Sequence, residues 1–195
     1  MSTLSGILCT LLRRYVETDF PKIDFAKACE SVGCECGGGT FSAAHRVERR
    51  TWAALAGHVA ALTGKPPVQF YEEFGRAVPA ILRSSYPTTF RKLLTVGEFV
   101  QTATALDYSV LFPLLNSEAA AHLWNTREQG RETAFGPVPD PVSAAYLRGI
   151  VEGIAILLGE PVSVRTTGME PDIRLMFVTG GSLGSPDPLK AARLS

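Results

Sequence analysis

Apolar positions recur at helical spacing through the first half of the chain and at strand spacing near its end. Ile7, Leu8, Leu11 and Leu12 share one stripe and predict a helix over residues 6–15. Asp24 is placed to cap a short helix over 25–32, which Gly33 ends. The Gly-rich stretch 34–41 reads as a loop; it is no phosphate loop, because no strand precedes it and no Gly-Lys-Ser or Gly-Lys-Thr follows. Trp52, Leu55, Val59 and Leu62 mark one face of a helix over about 48–62, stopped by Thr63-Gly64-Lys65-Pro66-Pro67. A further helix is expected over 68–84 with a kink at Pro79, then a short one capped by Thr88 or Thr89 and running through Leu94. Residues 96–115 are apolar, helical at first and irregular after Pro113 approaches. The alternation over 121–126 predicts a strand, and 130–141, with three prolines, predicts a loop. Pro141 opens a strong helix through Leu158 that closes at Gly159, and 162–166 and 173–178 form an antiparallel hairpin turning near Gly168. The fold class is α+β: a helical first lobe over about 1–64, a second lobe over 65–178 with a small antiparallel sheet, and a flexible tail over 179–195.

The chain has 195 residues, a size that suits one domain, and it balances 19 basic against 19 acidic side chains. Zero net charge argues against a phosphate-binding surface, so nucleic acid is not an expected partner. Arg, Glu or Pro interrupts every long apolar run, and the first helix has its charges after the apolar stretch, in the wrong order for a secretory signal. The expectation is a soluble cytoplasmic protein without a membrane span. Of four cysteines, Cys29, Cys34 and Cys36 lie within eight residues, with His45 nine residues further on. Zinc binding, a redox-sensitive thiol cluster and a turn that merely carries cysteines all fit that spacing, the last best, because structural zinc sites usually pair two ligands from each of two turns.

Catalytic patterns are weak. Glu72 and Glu73 are neighbours on a helix and point in different directions. His58 borders an apolar stripe and reads as a partly buried structural residue. Arg127 and Arg131 follow the 121–126 strand, where they could meet a carboxylate or simply face solvent. The expectation is a binding protein, not an enzyme.

Several strings, in order, resemble the heme nitric oxide/oxygen binding (H-NOX) family. They are Gly6-Ile7-Leu8 with Leu11, Leu12 and Tyr15, the segment from Thr51-Trp52 to Gly64-Lys65-Pro66, and Tyr71-Glu72-Glu73-Phe74-Gly75. Tyr146-Leu147-Arg148-Gly149-Ile150-Val151-Glu152-Gly153 followed by Val162-Ser163-Val164 completes the set. The resemblance covers about residues 6–178. It implies a protoheme between two lobes, a diatomic gas as signal and an axial histidine on a proximal helix. It also implies a separate effector such as a histidine kinase or cyclase, since no effector domain is recognisable in this chain.

The axial residue should fall within 98–109, where Asp107 takes the ligand position, and no histidine lies between His58 and His122. The family's propionate-binding Tyr-x-Ser-x-Arg motif maps to Trp124, Thr126 and Glu128 in one register and to Leu123, Asn125 and Arg127 in the next. Tyr146 matches the distal tyrosine of oxygen-binding members or fills a helix face, and Leu8 and Phe74 would line the cavity. Two functional expectations follow: a sensor using this cavity for a ligand other than a histidine-ligated heme, or a heme sensor ligated by His122, Tyr108 or Cys9. A second resemblance, to the 4-vinyl-reductase-type small-molecule domains, rests on the Gly-rich helix and hairpin at the end.

Overall fold

The computed structural model describes residues 3–35, 45–85, 87–90, 95–96, 132–138, 140–170 and 173–179. Their order is β1 (Thr3–Ser5), α1 (Ile7–Asp19), α2 (Phe25–Ser31), β2 (Arg46–Glu48), α3 (Arg49–Thr63), α4 (Pro67–Ser85) and α5 (Pro87–Phe90). After a gap come β3 (Glu132–Val138), α6 (Pro141–Leu158), β4 (Val162–Thr167) and β5 (Ile173–Thr179). The α+β class holds.

Local chemistry starts and stops α2 and α6 where the residue pattern puts them, whereas α1, expected over 6–15, runs on to Asp19. Asp24 caps α2 by accepting the Lys27 N–H at 3.1 Å. At α6, Asp140 accepts the Ser143 N–H on one carboxylate oxygen (2.8 Å) and the Ser143 hydroxyl on the other (2.7 Å), with Pro141 in the first turn. Gly159, at φ +67°, ends α6 in the left-handed region that glycine tolerates.

The centre of the molecule is α6. One side lies along α4 and the other lies on the sheet, whose strand order is β3-β5-β4, all antiparallel. β5 alternates, with Ile173, Leu175 and Phe177 buried and Arg174 exposed. Because both sides of α6 are covered, it is apolar nearly all round. By length and hydropathy alone it would pass as a membrane span, contrary to the expectation of no such stretch, yet most of it is buried inside the fold.

Glycines let α4 and α6 meet backbone to backbone. A Cβ on Gly149 would overlap the Glu72 carbonyl oxygen, one on Gly153 the Arg76 carbonyl oxygen, and one on Gly75 the Tyr146 carbonyl oxygen. Four residues separate Gly149 from Gly153, so both lie on one face of α6.

Four sequence expectations need correction. Residues 130–141 are not all loop, because 132–138 form edge strand β3. Its pairing with β5 shifts register between Phe135 and Val138, the interval that holds Pro137, so the proline that argues against a strand sits where no regular ladder bond is required. Leu62 is 50% exposed despite its spacing, because burial in α3 ends at Ala60. The short helix begins at Pro87, ahead of the expected cap. Finally, Leu4 pairs with Val47 in a two-stranded sheet that joins the N-terminus to the start of α3, with three residues per strand too short to register as a pattern. β5 includes Thr179, and the expected tail beyond it lies outside the described residues, as do the 121–126 strand and most of 96–115.

The α4–α6 contact predicts that Gly149→Ala destabilises the chain by more than about 3 kcal/mol, since backbone atoms of α4 would have to move. Gly57→Ala, on a helix with open space at the new Cβ, should stabilise by about 0.5–1 kcal/mol. Urea unfolding of both variants measures the contrast, and equal effects would contradict it.

Candidate functional site

Three of the predicted site residues are described, and the fold brings them into one buried cluster: Leu8 from α1, Phe74 from α4 and Tyr146 from α6. Phe74 and Tyr146 have ring centroids 5.6 Å apart. Around them Tyr15, Phe70 and Tyr71 add edge-on and tilted aromatic contacts at 5.4–5.8 Å. The wall is apolar, apart from phenol oxygens.

Burial keeps those phenols protonated. Tyr146 titrates well above the ordinary tyrosine range because it is buried, with Tyr71 adding a smaller push. Tyr71 is raised to about 12 by burial and by Asp140. Tyr15 is raised by burial and then by Glu73. Groups in this state are neutral hydrogen-bonding side chains at ordinary pH.

Two polar clusters flank the wall, and sequence reasoning found neither. In the first, Arg76 donates to Glu152 Oε2 from Nη2 (2.5 Å) and Nε (3.2 Å) and to Glu72 Oε1 (2.8 Å), while Arg148 Nε donates to Glu152 Oε1 (2.9 Å). This network crosses the α4–α6 contact. In the second, Glu73 pairs with Lys65, accepts from Gln69 Nε2 (3.0 Å) and from the Tyr15 hydroxyl (3.4 Å), and Lys65 sits 4.9 Å from the Phe20 ring centre. Glu72 and Glu73 therefore do point apart, as their adjacency requires. The i, i+4 spacings Glu72/Arg76 and Arg148/Glu152 were the legible signal, but the cross-helix partners were not.

A cleft of about 390 Å³ opens at the N-terminal ends of α4 and α6 beside the β4–β5 turn. Val68, Ile173 and Met169 give it an apolar lining, and Glu72, Arg148 and Glu170 give it charge. It shares no residue with the Leu8, Phe74 and Tyr146 wall. Trp52 is fully buried, and its Nε1 has no hydrogen-bond partner among the described residues.

The remaining candidates, Asp107, Tyr108, His122, Leu123, Trp124, Asn125, Thr126, Arg127, Glu128 and Arg131, lie outside the described residues, as does Cys36. So does 180–184, Gly-Gly-Ser-Leu-Gly, which has nucleophile-elbow spacing. His45 is exposed and His58 is half-buried on α3, the latter as expected, so the described wall offers no imidazole.

Comparison with known proteins places the chain beside one group. The family described as Haem-NO-binding matches residues 5–112. An oxygen-binding H-NOX domain related to soluble guanylate cyclases, in its oxygen complex, superimposes with TM-score 0.70 at 14% identity, over 93% of this chain and 98% of that one. A variant H-NOX from K. algicida in the Fe(II) unliganded form gives 0.69 at 12%, over 92% and 98%. A single-residue variant of the T. tengcongensis H-NOX gives 0.62 at 13%, over 93% and 100%. No curated protein sequence matches. At these identities the structures establish the fold.

Glu152 supplies a pH test. Burial alone would raise its carboxyl, but hydrogen bonds from Arg148 and Arg76 outweigh that and hold it below the ordinary 4.5. Its stabilisation is then complete above 4.5 and lost as pH falls through the lower folded value. The urea midpoint of the parent should exceed that of Glu152→Gln at neutral pH, and the gap should narrow on acidification below 4.5. A gap that widens there would contradict the assignment.

Proposed function

We propose that this chain, which belongs to the Haem-NO-binding family, is a sensory protein that binds a small ligand between its lobes without a histidine-ligated heme. The family is one of heme-binding gas sensors coupled to effectors such as histidine kinases and cyclases. The observation that carries the departure is the absence of histidine from residue 59 through residue 121. That interval contains the whole of α4 and the stretch 98–109 in which the family resemblance puts the axial ligand. Asp107 at that position supplies a hard anionic oxygen in place of a neutral imidazole nitrogen, a different ligand chemistry for iron.

The described wall supports the same reading. Leu8, Phe74 and Tyr146 are buried apolar and aromatic side chains, the character of a site for a small, largely apolar molecule. At the proposed propionate-binding segment, Trp124, Thr126 and Arg127 would meet the polar end of such a ligand. A kinase or cyclase on a separate chain would read ligand binding as a displacement of the Pro113 segment relative to α1. The alternative, heme held by His122, Tyr108 or Cys9, is an outcome of the same experiment.

Expression with heme supplementation, followed by an absorption spectrum of the purified protein, decides between them. The expected result is no stoichiometric Soret band, either as isolated or after reconstitution. A stoichiometric band that disappears in His122→Ala would overturn the proposal.

A further inference from the structure

The end of α2 brings two cysteines together by a backbone rule. Gly33, at φ +64°, donates its N–H to the Glu30 carbonyl (3.1 Å), and Cys34 donates its N–H to the Cys29 carbonyl (2.9 Å). This is the Schellman closure, in which the residue after the glycine contacts the side chain at the start of the last helical turn, usually through apolar groups. The same closure ends α6, where the corresponding residues are Ala155 and Glu160 and no chemistry joins them. At α2 both are cysteines, both are buried in the core cluster, and their thiols hydrogen-bond to each other.

We propose that Cys29 and Cys34 form an oxidisable dithiol, which a peroxide converts into a disulfide across the C-terminal turn of α2. A disulfide joins Cα atoms about 4–7 Å apart, a span compatible with two residues linked by one backbone hydrogen bond. Cys34 has the greater access to solvent, at 5% exposure against 0% for Cys29, and reacts first. Its thiolate attacks the peroxide, forming an S–O bond as the O–O bond breaks, to give a sulfenic acid and hydroxide. The Cys29 sulfur then displaces the sulfenic oxygen, forming the S–S bond as the S–O bond breaks. The two thiol protons leave in water, so two thiols and one hydrogen peroxide give one disulfide and two waters. The sulfurs give up the two electrons that the peroxide accepts.

Burial, with Cys34 close by, pushes the Cys29 thiol up to about 12. Little Cys29 thiolate is present at neutral pH, so closure of the bridge is slow and follows sustained peroxide. Reduction by a dithiol reverses the change. The site is separate from the inter-lobe wall and gives the chain an input that does not depend on the ligand reading.

The test uses the full chain carrying Cys36→Ser, with circular dichroism confirming an unchanged fold. After treatment with hydrogen peroxide, alkylation and trypsin, cleavage after Lys27 and Arg46 isolates 28–46, which holds both cysteines. The expected result is a peptide lighter than the reduced form by about 2 Da and closed to alkylation, which dithiothreitol restores and Cys34→Ser abolishes. The same mapping on the unsubstituted chain should place the bridge between Cys29 and Cys34. Two thiols that remain open to alkylation after peroxide would overturn the proposal, as would a bridge that runs through Cys9 or Cys36 or survives in Cys34→Ser.

Discussion

The contact of α4 with α6 at Gly75, Gly149 and Gly153 sets the position of almost everything else described. With no Cβ at these three points, the helix backbones approach until carbonyl oxygens of one lie against glycines of the other. That approach fixes the height of the side chains beside the glycines. Phe74 precedes Gly75, and Tyr146 lies three residues before Gly149, so the ring pair at the centre of the candidate site follows from the glycine contact. The Arg76–Glu152 bridge spans the same line, and the sheet then needs only an alternating strand, β5, to cover the other side of α6. Propensity opposes glycine inside a helix by roughly 1 kcal/mol each, so the packing must return more than that.

The aromatic cluster behind this contact is buried, and its charged groups sit at its margins. Inside, Tyr15, Tyr71 and Tyr146 keep their protons because burial penalises the anion. At the edges, Glu73 and Glu152 remain anionic because cationic and amide donors reach them, overcoming the same penalty. This division gives a buried aromatic cluster whose phenols are neutral and whose anions lie at its edge.

The residue pattern made most elements legible, because periodicity and caps are local. Asp24, Gly33, Pro141 and Gly159 mark helix ends by their own chemistry, and those ends appear where expected. β3 was lost because Pro137 argues against a strand unless a register shift is known, and that shift exists only in the pairing with β5. Leu62 satisfied the α3 stripe but lies past the point where anything packs on that helix. At the site, Leu8, Phe74 and Tyr146 came from the family resemblance, and the fold buries all three together. The Glu152 network escaped because it joins residues 76 positions apart, a separation that no local pattern encodes. Gly149 and Gly153 were visible as letters, but their purpose depends on the backbone opposite them.

Under the proposed function, glycine-mediated packing of α4 on α6 holds this chain in its fold without help from a bound heme. Urea unfolding of the heme-free chain, repeated with excess hemin, measures this directly, because a ligand that binds only the folded state raises stability by RT ln(1 + [L]/Kd). One cooperative transition is expected without heme, with the same midpoint when hemin is added. A heme-free chain that lacks a cooperative transition, or a midpoint that rises steadily with hemin concentration, would contradict it.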